Sequence, residues 1–193
     1  MKIGRLLLRL TVGSLFFGHG TQKLFGLFGG HGLDATANMF ESLGMRPGRR
    51  NAIAAGVAEA GGGAALAAGF ATPLAAATLT SVMLTAINRV HLKNGPWVTN
   101  GGYEYNAVLI AAVIALTEVG PGDLSLDHAL GTERSGPAWA LFALAAGAAG
   151  AAGAHYLAES QPVPPAPPEP APDASTNSDA SAPTATQEAG ATQ

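Results

Sequence analysis

Three ionisable side chains, His19, Lys23 and Glu59, lie within largely apolar stretches of this 193-residue sequence. An imidazole, an amine and a carboxylate can each transfer protons, and opposite charges among them can pair. Glu59 lies close to the middle of stretch 52–70, where an acidic side chain in a membrane costs roughly 2.5 to 3.5 kcal/mol. Glu59 therefore needs a partner or a proton, and Lys23, His19 and Arg89 are the candidate partners. We predict that Glu59, His19 and Lys23 are catalytic through proton transfer; an ion pair that only locks the helices together is the alternative.

The first apolar stretch carries its ionisable residues on one face. Six residues recur at intervals of 4, 3, 4, 3 and 4, which places them within about 80° of one another on an α-helix: Arg5, Arg9, Val12, Phe16, His19 and Lys23. Arg9 and Lys23 lie near the ends of the stretch, where long side chains can extend to the membrane surface. His19 lies near its centre, so we expect an imidazole that serves proton transfer or is buried and hydrogen-bonded by a neighbouring helix.

A second polar cluster joins the third and fourth apolar stretches. Arg89 and His91 end one stretch, and Glu104 and Tyr105 begin the next. We predict that these four residues bind a cofactor, with Glu104 paired to Arg89 at the floor of a cavity between helices. An interfacial aromatic belt with solvated charges is the alternative. No metal site is expected, because neither His19 nor His91 has a second histidine three or four residues away.

The composition is typical of a membrane protein. Charged residues make up 12% of the chain, about half the share of roughly 25% in soluble domains. Apolar stretches of helical length occupy residues 6–28, 52–70, 74–90, 105–119 and 137–158. A cleaved signal peptide is a poorer description of the first stretch, because Arg9 interrupts it and no cleavage motif follows.

The segment between the first two stretches has its own helical pattern. Apolar residues recur at helical spacing between Asp34, the expected N-cap, and Gly44. We therefore predict an all-α integral membrane bundle of four core transmembrane helices and a fifth, with a short interfacial helix between the first two. Counting arginines and lysines does not decide the orientation, and we expect a cytoplasmic N-terminus because the first helix often dominates.

Three regions divide the chain. Residues 1–131 are predicted to form the four-helix membrane domain, residues 132–160 the fifth transmembrane helix, and residues 161–193 a disordered tail rich in proline, alanine, serine and threonine. The chain has no cysteine, so thiol chemistry and iron–sulfur ligation by cysteine are excluded. Its net charge of −3 does not indicate a nucleic-acid partner.

In these motifs the chain resembles the DoxX family of small membrane proteins. The matching segments follow one another over residues 3 to about 131: His19, Gly20 and Lys23; Glu59, Gly61 and Gly62; Asn94 to Trp97; Gly101, Gly102, Glu104 and Tyr105; and Gly120 to Asp127. The resemblance implies a four-helix membrane core and an association with membrane oxidoreductase systems, among them a thiosulfate:quinone oxidoreductase. The fifth stretch and the tail depart from the four-helix pattern, and no catalytic residue set is carried over.

Two functions remain open at this point. The first is a subunit of an oxidoreductase system in the cell membrane, in which the buried polar residues line a cavity for a quinone. A quinone is apolar, needs no cysteine and is reduced with protons that a carboxylate or imidazole can supply. The second is a non-catalytic membrane anchor that docks a soluble oxidoreductase partner. Both place the chain in the lipid bilayer as a multi-pass protein.

Overall fold

The computed structural model describes residues 3–162, and helices are its only regular elements in that range. The α-helices are α1 (Ile3–Phe25), α2 (Gly32–Ser42), α3 (Gly48–Ala68), α4 (Thr72–Ala86), α5 (Glu104–Val119), α6 (Leu126–Ala129) and α7 (Pro137–Glu159). A π-helical segment, Ile87–His91, continues α4, and short 3-10 turns occupy Leu27–Gly29, Leu92–Asn94 and Val98–Asn100. The all-α prediction is confirmed. The predicted disordered tail lies outside the described residues from 163 onward.

The helix ends follow from local residue chemistry. α3 ends at Ala68 and is capped by Gly69, which adopts a left-handed φ of 66° that most residues avoid. Pro73 lies in the first turn of α4, where its missing N–H costs nothing. The helix predicted before Gly44 is present as α2, but Asp34 lies in its first turn and is not its N-cap, which is His31.

Helices α1 and α3 pack backbone against backbone. Gly13 and Gly20 on α1 face Gly63 and Gly56 on α3, and both pairs are seven residues apart. A Cβ on Gly13 would lie 2.7 Å from the carbonyl oxygen of Gly63, closer than carbon and oxygen can approach. The two backbones therefore approach closely at Gly63, and the small residues set the separation of the two helices.

The main core lies between α1, α3, α4, α5 and α7. Its fully buried side chains include Leu66 on α3, Leu79 on α4 and Leu116 on α5. Helix α7 joins this core through Ala143 and packs along α4, where a Cβ on Gly147 would lie 2.6 Å from the Cβ of Thr80. Because Thr80 faces Gly147 and Arg89 faces His155, α4 and α7 run in the same direction.

Of the helices in the described range, α7 is long and apolar enough to cross a membrane by itself. Its residues Pro137–Glu159 number 23, which span a hydrocarbon core of about 30 Å at 1.5 Å per residue. α1 has the same length but carries Arg5, Arg9 and Lys23. Crossing by the first four predicted spans stays a prediction.

Arg9 links α1 to the end of α3 and to the loop after α5 at one end of the bundle. The residue is 3% exposed, and its guanidinium donates to the carbonyl oxygens of Ala67, Pro121 and Leu124 at 3.1, 2.6 and 2.5 Å. Arg9 is therefore held inside the end of the bundle, and its extension to a membrane surface stays a prediction. Its charge is satisfied by carbonyl groups at the end of α3 and in the loop after α5, and it ties that loop to α1.

Asp127 fixes the same loop to the start of α4. Its buried carboxylate accepts hydrogen bonds from the backbone N–H groups of Ala71 and Thr72 and from the Thr72 hydroxyl, at 2.9, 3.1 and 2.9 Å. Burial raises the pKa of Asp127, but the N–H donors of Thr72 and Ala71 lower it by more, so the pKa lies below the ordinary value of 3.8.

Acid should remove the stabilisation that the Asp127 carboxylate provides. Because the folded pKa of Asp127 is lowered, the stabilisation is complete above pH 3.8 and is lost as the pH falls through the lower folded value. We expect Asp127→Asn to lower the thermal midpoint at neutral pH and to narrow its gap from the unsubstituted protein in acid. Melting curves at neutral and acidic pH test this, and a gap that is the same at every pH would contradict it.

Candidate functional site

Lys23 and Glu59 form an ion pair between α1 and α3. The Lys23 Nζ lies 2.5 Å from the Glu59 Oε2, the side chain of Lys23 is 24% exposed and that of Glu59 is 4% exposed. Of the three partners expected for Glu59, the structure selects Lys23. The glycine contact places them, since Gly20 lies one turn before Lys23 and Gly56 one turn before Glu59 on the helices that touch.

This arrangement can hold a proton at a defined place. A carboxylate buried against a single ammonium group is stable while both are charged, and losing either charge leaves the other poorly solvated. Lys23 is more exposed than Glu59, so it is the member of the pair that reaches the surface of the bundle. The pair therefore offers a proton acceptor in the interior and a cation at its edge.

His19 does not join this pair. Its ring is exposed, and its Nδ1 lies 3.1 Å from the Gln22 Oε1 on the same helix. The expectation of a buried imidazole satisfied by a neighbouring helix is wrong. The contact face of α1 follows Gly13, Phe16 and Gly20, and His19 lies to one side of that line.

The four residues of the second predicted cluster do not converge. In the described part of the chain no ion pair joins Arg89 to Glu104, so that predicted pair is wrong. The Arg89 Nη2 lies 2.6 Å from the His155 Nδ1 and 3.7 Å from the Glu159 Oε1, both on α7. His91 instead reaches the carbonyl oxygen of Gly101 at 2.7 Å.

Glu104 and Tyr105 begin α5 away from these contacts. The backbone N–H of Glu104 donates to the carbonyl oxygen of Pro96 at 2.8 Å, and Tyr105 is 45% exposed. Neither residue lines the cleft that Arg89 does line. The structure therefore separates Arg89 from the other three residues predicted to share a cofactor site with it.

The cleft beside Arg89 lies between the end of α4 and α7. It has a volume of about 240 Å³ and is lined by Leu84, Thr85, Asn88, Arg89, Ala151, Ala152 and His155. Arg89 belongs to the π-helical segment, a distortion that often accompanies functional sites. His155 and Glu159 are not among the predicted site residues, because stretch 137–158 reads as an uncharged helix. The available signal was a histidine and a glutamate four residues apart at the end of an alanine-rich helix.

The contacts of His155 define its tautomer. An arginine can only donate, so the Nδ1 of His155 must accept from Arg89 and carries no proton. The neutral ring then has its proton on Nε2, which lies 3.2 Å from the Glu159 Oε1. Arg89, His155 and Glu159 thus form a connected hydrogen-bonded set with a defined direction of donation.

No group of three or more histidine, cysteine, aspartate or glutamate residues within the described residues is arranged to hold a metal ion. The candidate chemistry in this range therefore rests on the Lys23–Glu59 pair and on the Arg89 cleft. The first lies between α1 and α3, and the second combines the end of α4 with α7.

Comparison with known proteins agrees with the motifs in the first half of the chain. The model of the DoxX family matches residues 4–92, a range that includes Lys23, Glu59 and Arg89. The chain is 33% identical over 126 residues to "Putative oxidoreductase CatD" of Bacillus subtilis (strain 168), an alignment covering 65% of this chain and 86% of that protein. No solved structure matches the chain. On the family match and the extent of this similarity, the chain belongs to the DoxX family, whose members are membrane-associated.

Proposed function

We propose that this protein is a multi-pass subunit of an oxidoreductase system in the cell membrane, in which the Lys23–Glu59 pair handles the protons that accompany quinone reduction. The observation that carries the proposal is the 2.5 Å contact of Lys23 with a Glu59 side chain that is 4% exposed. The name of the similar CatD protein supports the oxidoreductase association. An ion pair at this depth is costly to keep unless it contributes to function or to specific packing.

The outer surfaces of the helices support a bilayer environment for more than α7. Large apolar side chains face outward on several helices: Leu7 (58%), Leu8 (40%), Leu15 (45%) and Phe17 (44%) on α1, Val57 (56%) on α3, Leu74 (59%) on α4, and Val108 (63%) on α5. Exposed apolar side chains in this number are typical of a surface that contacts lipid or another protein. We place the N-terminus on the cytoplasmic side, as the sequence predicts.

In the proposed reaction, a partner protein supplies the electrons and this chain supplies the protons. Reducing a quinone consumes two electrons and two protons. The electrons come from a soluble oxidoreductase partner, and the protons pass through this chain. Glu59 takes up a proton and releases it, while Lys23 stabilises the charged carboxylate between these events.

Glu59→Gln tests the proposal. The amide oxygen of glutamine can still accept a hydrogen bond from Lys23, so we expect normal insertion and helix content. Glutamine cannot carry the proton, so quinone-dependent reduction in membranes containing the variant should fall by roughly 100-fold or more. The measurement is quinone reduction in membrane vesicles, with protein quantity determined in the same vesicles.

Asp34→Asn is the matched control. Asp34 contacts Arg49 at 2.7 Å, but its side chain is 88% exposed, so removing its charge changes an ion pair that water already screens. This variant should reduce quinone at the rate of the unsubstituted protein. Full activity in Glu59→Gln would remove Glu59 from the mechanism.

A non-catalytic anchor is the second candidate function. Phe25 and Phe28 are 70% and 73% exposed at the end of α1, beside Leu27 at 49%, and such a cluster could dock a partner protein. In that case the Lys23–Glu59 pair is structural. The two functions separate in the same assay, because an anchor retains partner-dependent activity in Glu59→Gln.

A further inference from the structure

The lining of the cleft between α4 and α7 changes from apolar to polar residues along the two helices. Its inner wall is apolar, with Leu84 on α4 and Ala151 and Ala152 on α7. About one turn further toward the end of both helices lie Arg89 and His155. Because the two helices run in the same direction, the apolar wall and the polar groups succeed one another in the same order on both.

The charged side chains of Arg89 and Glu159 also follow one another along the helices, from the interior toward the surface. The side chain of Arg89 is 15% exposed, whereas that of Glu159, one turn beyond His155, is 59% exposed. A cation therefore lies at an intermediate depth and an anion lies nearer the surface. The two charges are 3.7 Å apart, and with a neutral His155 they sum to zero.

Arg89 has an N–H donor that no group within the described residues accepts. A guanidinium has five N–H donors, and here Nη2 is the nitrogen that contacts His155 and Glu159. The Nε of Arg89 is buried and has no hydrogen-bond partner within residues 3–162. That nitrogen is closed to a ligand, but the side chain of Arg89 is 15% exposed and lines the cleft, so its guanidinium favours a ligand that presents acceptor oxygens there.

We propose that this cleft binds the head group of a zwitterionic phospholipid. The phosphate lies against Arg89, with Asn88 as a further donor, and the ammonium group lies toward Glu159. The acyl chains follow the apolar wall at Leu84 and Ala152 toward the membrane interior. The order of chain, phosphate and ammonium in the lipid matches the order of apolar wall, cation and anion in the cleft.

The charge balance distinguishes this ligand from others. An anionic head group would bring a second negative charge toward Glu159, which Arg89 alone would not offset. A neutral quinone carbonyl could accept from Arg89 but has no group for Glu159. The lipid site is independent of the proposed oxidoreductase function, because none of its residues belongs to the Lys23–Glu59 pair.

Native mass spectrometry of the full-length protein tests this assignment. Phosphatidylethanolamine and phosphatidylglycerol with the same acyl chains are titrated separately, and we expect about tenfold tighter binding of phosphatidylethanolamine. Glu159→Gln should remove this preference, because it removes the partner of the ammonium group. Arg89→Gln should weaken binding of both lipids, because both carry the phosphate.

Two further variants keep the test decisive. Ala152→Phe fills the apolar wall from an exposed position, so it should fold and lose lipid binding even if Arg89→Gln does not fold. Arg50→Gln removes an exposed arginine at the same end of the bundle outside the cleft and should bind both lipids normally. Equal binding of the two lipids, normal binding by Ala152→Phe, or displacement of bound phosphatidylethanolamine by a short-chain quinone would overturn the proposal.

Discussion

Gly63→Ala is expected to destabilise the protein by about 3 kcal/mol, the upper part of the usual cost of overpacking a core. A Cβ at residue 63 would lie 2.6 Å from the carbonyl oxygen of Gly13 and 2.9 Å from the Cβ of Phe16. Both groups belong to α1 at positions fixed by its helical backbone. The strain can be relieved only by separating α1 from α3, which also weakens the contacts at Gly20 and Gly56.

Gly61→Ala is the matched control for this prediction. A Cβ at residue 61 meets no atom within 4 Å, so alanine fits without displacement. Alanine is preferred over glycine inside a helix, and this variant should be more stable by up to about 1 kcal/mol. Reversible unfolding in mixed micelles measures both values. Equal stabilities of Gly61→Ala and Gly63→Ala would mean that α1 and α3 do not pack backbone against backbone.

Lys23→Met is expected to destabilise the protein by about 3 to 5 kcal/mol, because it leaves the Glu59 carboxylate buried without a partner. The pair Lys23→Met and Glu59→Met should recover most of this loss, since two methionines of suitable length fill the same space without charge. A double-mutant cycle of unfolding free energies measures the interaction between the two positions.

The same cycle separates stability from function. The double variant should be folded but inactive in quinone reduction, because it retains the packing and lacks the proton-carrying group. A folded double variant with normal activity would identify the pair as a structural lock. A single Lys23→Met variant as stable as the unsubstituted protein would show that water reaches Glu59 in solution.

The helices were largely predictable because strong local signals mark their ends. The stretch predicted at 105–119 appears as α5 (Glu104–Val119), and the stretch at 137–158 appears as α7 (Pro137–Glu159). Pro137 and the glycine after α3 act through their own backbone preferences, so no knowledge of neighbouring helices is needed. The Lys23–Glu59 contact could also be predicted, because a buried carboxylate is unstable without a partner and Lys23 was one of three candidates.

Other site residues depended on helix contacts that the sequence pattern does not contain. The face of α1 was predicted from its ionisable residues, whereas the contact with α3 follows Gly13 and Gly20, which have no side chain to signal it. His19 lies outside the contact with α3 and is exposed, because the contact follows these glycines. The partner of Arg89 depended on α7 lying beside α4, a contact between segments 66 residues apart.

The π-helical segment at the end of α4 helps to set the direction in which Arg89 points. A π turn holds one more residue than the α turn it replaces, so the chain beyond it is rotated by about 100° relative to an unbroken α-helix. The partner of Arg89 is thus specified by the number of residues in Ile87–His91 as well as by its own side chain. A change in that number would direct the same guanidinium to a different face of the bundle, with its charge and its sequence neighbours preserved.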